Sequence, residues 1–335
     1  MSTKSLVTIG SKAAVITPTG FKNYDVCMNP YVGCEFGCAY CYVRFFVKDP
    51  KREWGEFVRI RDFIEQKLPS ALLKGAVALP VGRIKTPDKD GQEKSKKIYK
   101  HLPITEARLV IGTMTDPYQP QELKHRITRK ALEILLRSDL PSFKKVGIFT
   151  RSPLVLQDIE LIKRLPRCRV HFTITPYPDK VTRVIEPYSP IVASRWKVIA
   201  KLKEAGIRVH VNVAPVMPTI SEQFIEDFAI KLAELQVDEY FVDPMQAYKE
   251  SFAAFKIACQ KIPSLSWSAI ESIMTNKEAY LKWKADYFAT WNEARAKYEH
   301  LAPNQLPIWS DHENNVWIDM RTGQQMDHKH YNDDE

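Results

Sequence analysis

From residue 108 onward the chain alternates between two hydrophobic periods. Arg108 to Gly112, Lys145 to Thr150, Arg169 to Thr175, Ile207 to Ala214 and Asp238 to Val242 are short runs dominated by apolar and β-branched residues. Runs of this kind suit strands buried on both faces of a parallel sheet. Between them, Gln121 to Arg137, Leu154 to Arg164, Ile191 to Glu204 and Ser221 to Leu235 read as helices. The third of these stops at Gly206, a C-cap position. With the short extended segment Tyr24 to Met28 placed ahead of them, the pattern predicts six strands joined by crossover helices. Repeated βα units imply an α/β fold with a parallel sheet closed or nearly closed, here a partial (β/α)6 TIM-like barrel. Reacting side chains then belong at the C-terminal ends of the strands.

The flanks read differently. Residues 1–23 form an irregular lead-in punctuated by Pro18 and Gly20, and 24–245 make up the barrel. Glu56 to Arg61 is extended and Asp62 to Lys74 helical. Within 82–103, Arg83, Lys85, Lys89, Lys94, Lys96, Lys97 and Lys100 outnumber Asp88, Asp90 and Glu93, and apolar residues are few. That composition predicts a solvated basic loop insertion, either an ordinary surface feature or an arm for phosphates. Residues 246–335 form a helical, aromatic-rich C-terminal extension with a polar tail. Tyr280, Trp283, Tyr287 and Trp291 share one helical face, which packs on the barrel or offers a platform for stacked bases.

Composition adds limits. The 335 residues are 44% hydrophobic and 27% charged, ordinary for a globular protein that can bury a large core. No run of 18 apolar residues occurs and Met1 to Ile9 lacks an apolar stretch, so a cytoplasmic protein without a membrane span is expected. A net charge of +9 is compatible with nucleic acid and equally with a basic enzyme.

Cysteine usage points to chemistry. Of six cysteines, Cys34, Cys38 and Cys41 lie within eight residues at C-x3-C-x2-C spacing. Loops this short can wrap three thiolates around one iron–sulfur cluster. A four-iron cluster held by three protein ligands keeps one iron open, as a catalytic metal does. Cys27, seven residues before Cys34, is either a fourth ligand that closes the site or a small buried residue. No later C-x2-C or H-x3-H pair completes a zinc tetrad, although a non-catalytic iron–sulfur or zinc protein that binds nucleic acid is the alternative from another class.

The spacing, with Tyr40 just before the last cysteine, resembles the radical S-adenosylmethionine (SAM) superfamily. From Asn29 to Ser221 it resembles the branch that includes spore photoproduct lyase and the proteins labelled DNA repair photolyase. The matching blocks are Thr115-Asp116-Pro117-Tyr118-Gln119-Pro120, Thr150-Arg151-Ser152-Pro153, Thr173-Ile174-Thr175, Glu186-Pro187 with Arg195, and Ala214-Pro215-Val216-Met217-Pro218. The resemblance implies a [4Fe–4S] cluster on Cys34, Cys38 and Cys41, with SAM on the open iron. It implies reductive cleavage of SAM to a 5′-deoxyadenosyl radical that abstracts hydrogen from substrate. It assigns Arg151 to the SAM carboxylate, Thr173 and Thr175 to the ribose, Tyr40 to the adenine, and Asp116 to the ribose or the ammonium. Arg195 is a cofactor residue or the partner of Glu186 in a structural ion pair. A flavodoxin- or ferredoxin-like reductant is the implied partner, and a nucleic acid the implied substrate; RNA, a peptide or a metabolite are the alternatives. Tyr40 and Tyr42 match two tyrosines of the lyase that could relay a hydrogen atom. Thr113 stands where the lyase carries its donor cysteine, and a threonine O–H is too strong a bond for that role.

Overall fold

A computed structural model describes residues 6–10, 14–87, 93–247 and 249–326. The chain begins with strands β1 (Leu6–Ile9), β2 (Ile16–Pro18), β3 (Val26–Met28) and β4 (Tyr31–Val32), and the cysteine loop then ends in helix α1 (Val43–Phe46). Strand β5 (Phe57–Ile60), helix α2 (Ile64–Leu72) and strands β6 (Ala76–Pro87) and β7 (Glu93–Pro103) follow. The βα succession starts with β8 (Arg108–Ile111), α3 (Glu122–His125), α4 (Ile127–Leu135), β9 (Lys145–Thr150), α5 (Ile159–Ile162) and β10 (Arg169–Ile174). It continues with α6 (Asp179–Ile185), α7 (Val192–Glu204), β11 (Arg208–Val216), α8 (Ile225–Glu234) and β12 (Glu239–Pro244). The chain then forms α9 (Lys249–Cys259), α10 (Trp267–Thr275), α11 (Lys277–Tyr298), β13 (Leu306–Asp311), β14 (Val316–Asp319) and β15 (Gln325–Met326).

All six expected barrel strands are present and lie side by side in chain order as β3, β8, β9, β10, β11 and β12, each parallel to the next. The full sheet runs β15-β14-β13-β12-β11-β10-β9-β8-β3-β2, and its two ends do not pair, so the barrel is open. Burial explains the order. Five of the six residues of β9 are buried, as are five of the six in β10 and in β12, between lumen and outer helices. Helix α4 buries Ile127, Ala131, Leu132 and Leu135 in the core. Inside the lumen the Tyr24 hydroxyl lies 2.6 Å from His171 Nε2, and His171 stacks on Phe149 at 4.4 Å between ring centres.

Several departures from expectation have local causes, and the lead-in expected to be irregular contributes β1 and β2, which pair with β5 and β3. The stretch 82–103 belongs to a long antiparallel hairpin rather than an irregular loop, with β6 and β7 paired from Ala76–Pro103 to Pro87–Glu93. Lysines, which are depleted in strands, mask its pattern. The helix expected over 121–137 breaks at Arg126, whose φ of 51° separates α3 from α4. Helix α6 is additional; it turns Val181, Thr182 and Ile185 inward. After the expected helices of the C-terminal extension, the chain returns to sheet, where β13 pairs parallel to β12 and buries Ile308 and Trp309.

The aromatic face of α11 packs inward. Trp283, Tyr287 and Trp291 are buried, and Trp291 donates its indole N–H to the Tyr240 hydroxyl at 3.3 Å. These side chains fill the interface between helix and barrel and are not presented to solvent for stacking bases. The end of the polar tail, with His328 and His330 close together in sequence, lies outside the described residues.

Candidate active site

The cysteine loop leaves β4 at the C-terminal end of β3, where a barrel carries its chemistry. Its backbone needs Gly33, which has φ of 89°; a Cβ there would stand 2.4 Å from the Phe57 carbonyl oxygen. Two turns shape it, with Gly37 N–H donating to Cys34 O and Cys41 N–H donating to Cys38 O. The Ala39 N–H donates 2.8 Å to Ile185 O and ties the loop to the end of α6. Cys34, Cys38 and Cys41 are free thiols in one apolar cluster with Phe36, Trp54 and Phe57.

The Thr115–Pro120 block braces this loop from below. Thr115 Oγ1 donates to Gly33 O at 2.6 Å, Gln119 Nε2 donates to Gly33 O at 3.3 Å, and Glu35 N–H donates to Gln119 Oε1 at 2.9 Å. Asp116 serves the next strand. Its carboxylate accepts from Tyr118 N–H (2.9 Å), Thr150 Oγ1 (2.7 Å) and Arg151 N–H (2.9 Å). Its oxygens are thus engaged in holding the backbone that presents Arg151. Sequence reasoning singled out only Asp116 of this block, for the ribose or the ammonium of SAM; Thr115 and Gln119 as loop clamps, and Asp116 as a brace, emerge only from the hydrogen bonds.

Arg151 reaches from the end of β9 to the cysteines. Its Nη1 lies 3.3 Å from Cys38 Sγ, 2.7 Å from the Tyr40 hydroxyl and 2.8 Å from Glu186 Oε1. The Tyr40 hydroxyl donates to the same Glu186 oxygen, and the other oxygen, Oε2, accepts from Arg195 Nη2. Glu186 and Arg195 have fully buried side chains, while Arg151 stays 16% exposed. Arg195 also donates to Pro190 O at 2.8 Å and to Thr175 Oγ1 at 3.3 Å. It therefore stands behind Glu186, in the structural ion pair expected as one alternative. Thr175 is fully buried against it, and Thr173 is the half-buried hydroxyl of that pair of threonines. Glu186 is the residue the sequence reading under-weighted, because α6, which delivers it, was not anticipated.

Tyr42 donates its hydroxyl to the Thr113 carbonyl oxygen at 2.5 Å, and Asn29 Nδ2 donates to Thr113 Oγ1 at 3.3 Å. Tyr42 and residue 113 are thus neighbours in space. Cys27 lies apart from the other three thiols, in β3, packed with Tyr24 and Val110; its Sγ is 3.3 Å from Thr17 Oγ1. The reading of Cys27 as a small buried residue matches this placement.

Electrostatics divide the site in two. Burial pushes all three thiols up, Cys34 strongly and Cys41 to about 12, while Arg151 partly offsets burial at Cys38. Burial also acts to raise the Glu186 carboxyl, but Arg195 and Arg151 with their hydrogen bonds outweigh it and hold it below its ordinary value. Burial opposes the Arg151 charge, yet Cys38, Tyr40 and Glu186 hold its pKa well above the ordinary value.

Among the described residues, no three His, Cys, Asp or Glu side chains gather closely enough for a single metal ion. The donor set is three thiols spread around one loop in an apolar pocket, with a guanidinium beside one of them. That set suits a cluster offering separate iron corners, so the residues fit the group.

A family model for the radical SAM superfamily matches residues 28–232, more than half of the chain. The chain belongs to the radical SAM superfamily. Radical SAM proteins are enzymes that use a [4Fe–4S] cluster and SAM. An uncharacterized protein of Methanocaldococcus jannaschii is 26% identical over 206 residues, covering 61% of this chain and 65% of the relative. One from Acidianus two-tailed virus is 29% identical over 221 residues, covering 64% of this chain and 65% of the relative. The chain thus spans just under two thirds of these relatives. Spore photoproduct lyase complexed with dinucleoside spore photoproduct superimposes with a TM-score of 0.58 at 13% identity, covering 90% of this chain and 81% of that one. That likeness concerns the fold. Among the described residues no helix is long and apolar enough to cross a membrane.

Proposed function

We propose that this radical SAM enzyme binds its [4Fe–4S] cluster through Cys34, Cys38 and Cys41, cleaves SAM with an electron from a flavodoxin- or ferredoxin-like donor, and acts on a nucleic acid. The observation that carries the reading is Arg151, which links the Cys38 thiol to Tyr40 and Glu186 at the C-terminal end of β9. Bound there, cluster and SAM supply hydrogen-atom abstraction from an unactivated carbon. Arg151 then pairs with the SAM carboxylate, since a guanidinium fork matches a carboxylate. Glu186 and Arg195 fix its position. Thr173 offers a hydroxyl to the ribose, while Thr175 orients Arg195. Tyr40 flanks the adenine with its ring and keeps its hydroxyl on the Arg151–Glu186 pair. Tyr42 is next to residue 113, so a hydrogen relay has its second member but lacks a thiol at the first. The chain's chemistry therefore differs from repair that relies on a cysteine donor at that place.

Anaerobic reconstitution with iron and sulfide tests this. About four irons per chain, a change in the reduced cluster's EPR spectrum on adding SAM, and 5′-deoxyadenosine formed under reduction are the expected results. Zinc in place of iron, or a cluster whose spectrum ignores SAM, would refute it.

A further inference from the structure

We propose that the β6–β7 hairpin is a groove-binding arm that enters double-stranded DNA and neutralises phosphates along both walls of the groove. The substrate class rests on the function proposed above, but the binding itself is independent of radical chemistry.

The arm stands clear of the core. Val77 is buried at its base and Leu79 and Leu102 pack on the main cluster, whereas 81–85 and 95–100 are exposed throughout. An isolated two-stranded ribbon is marginally stable in water, and this one is also charged against itself. Arg83 and Lys97 are directly opposite each other, and like charges so placed are destabilising. Among the described residues, only Lys85 on the ribbon has an ion-pair partner, Glu93 at 2.9 Å. A polyanion would remove that repulsion.

The distribution of charge identifies the partner. Side chains alternate between the two faces of a strand pair, and cross-strand partners share a face. Arg83 and Lys97 stand on one face, while Lys96, opposite Ile84, stands with Lys100, opposite Leu79, on the other, which packs on the core at the ribbon's base and is exposed from 95 to 100. A flat anionic surface, such as a membrane or an acidic protein face, meets one face only. A groove walled by two phosphate backbones meets both, and the major groove admits a two-stranded ribbon. The arm joins the barrel just ahead of β8, at the strand's N-terminal end and hence opposite the cysteine loop. It acts as a second grip on a long substrate, remote from the reacting carbon.

The test measures binding of the full chain to a random 20-base-pair duplex, to one strand of it, and to anionic vesicles, over a salt series. Variants are Arg83→Gln with Lys97→Gln, Lys96→Gln with Lys100→Gln, and all four together. At roughly 0.9 units of salt slope per phosphate contact, the quadruple variant should lose about 3.6 units, equivalent to about 150-fold in affinity at 50 mM relative to 200 mM salt. Each double variant should lose about half of that slope. A loss confined to one pair, an unchanged slope in the quadruple variant, or preference for the single strand or the vesicles would overturn the proposal. Reductive 5′-deoxyadenosine formation without substrate should be equal in all variants. Its absence from the wild-type chain would count against the proposed chemistry and leave the arm's result intact.

Discussion

Replacing Glu186 with glutamine is the sharpest perturbation of the site, because it removes one charge and almost no volume. Glu186 Oε1 pairs with Arg151 at 2.8 Å and Oε2 pairs with Arg195, whose side chain is also fully buried. At an effective dielectric near 20, a charge pair about 4 Å apart is worth about 4 kcal/mol before desolvation. Glutamine leaves Arg195 charged, buried and unpaired, and breaking a buried pair in this way costs roughly 3–5 kcal/mol. In a chain of this length that lowers the melting temperature by roughly 4–7 °C. SAM affinity of the reconstituted enzyme should fall as well, because Arg151 loses its anchor. The decisive measurement adds Arg195→Met to Glu186→Gln. With the stranded cation gone, the double variant should recover at least about 1 kcal/mol, despite the donors lost at Pro190 O and Thr175 Oγ1. If the double variant unfolds no later than Glu186→Gln alone, unpaired charge is not the source of the cost. The pH dependence follows from the same pair. Glu186 is held below its ordinary value of 4.5, so its stabilisation is complete above pH 4.5 and is lost as pH falls through the folded-state value. The gap between wild type and Glu186→Gln should therefore be widest near neutrality and should narrow on acidification below 4.5.

Single Cys34→Ala, Cys38→Ala and Cys41→Ala variants should each lose iron on reconstitution, whereas Cys27→Ala, which sits in β3 against Thr17, should load normally. Gly33→Ala should likewise fail to hold iron, since its Cβ would meet the Phe57 carbonyl oxygen at 2.4 Å and force the loop away from β5. Trp291→Ala, at a fully buried position, should cost about 3–5 kcal/mol in denaturant unfolding. Duplex affinity per folded molecule should not change in that variant, because the α11 aromatics pack rather than stack on bases.

The barrel was legible because its strands are buried on both faces, so their sequence needs only to be apolar. Lys145–Thr150 begins and ends where the pattern put it, and Arg169–Ile174 stops one residue early. The hairpin was not legible: only its base, at Val77, Leu79 and Leu102, packs on the core, while 81–85 and 95–100 are exposed and their lysines read as loop. Strand β13 was hidden by Pro307 and by its place beyond a long helical stretch. In the site, residue type picked out Cys34, Cys38, Cys41 and Arg151, and the fold brings Arg151 to the cysteine loop. It did not tell which polar groups are already held by protein partners. Asp116, Thr175 and Arg195 carry the right chemistry for SAM, but their polar atoms meet protein partners. Which polar atom is already satisfied depends on contacts between residues such as 116 and 151, and local sequence does not encode them.

The braces have an electrostatic consequence. Arg151 and Arg195 are met by two buried carboxyl groups, Glu186 between them and Asp116 on the Arg151 backbone, so the formal charges of the four balance. With no cluster bound, burial keeps the three thiols protonated at neutral pH and so uncharged. The iron binding proposed above would require them to lose those protons, which brings negative charge beside the Arg151 guanidinium that faces Cys38. A ligand carboxylate at Arg151 would draw on the same guanidinium. A loop that does not ionise alone and a guanidinium anchored by carboxylates on its far side are thus complementary for the proposed binding event.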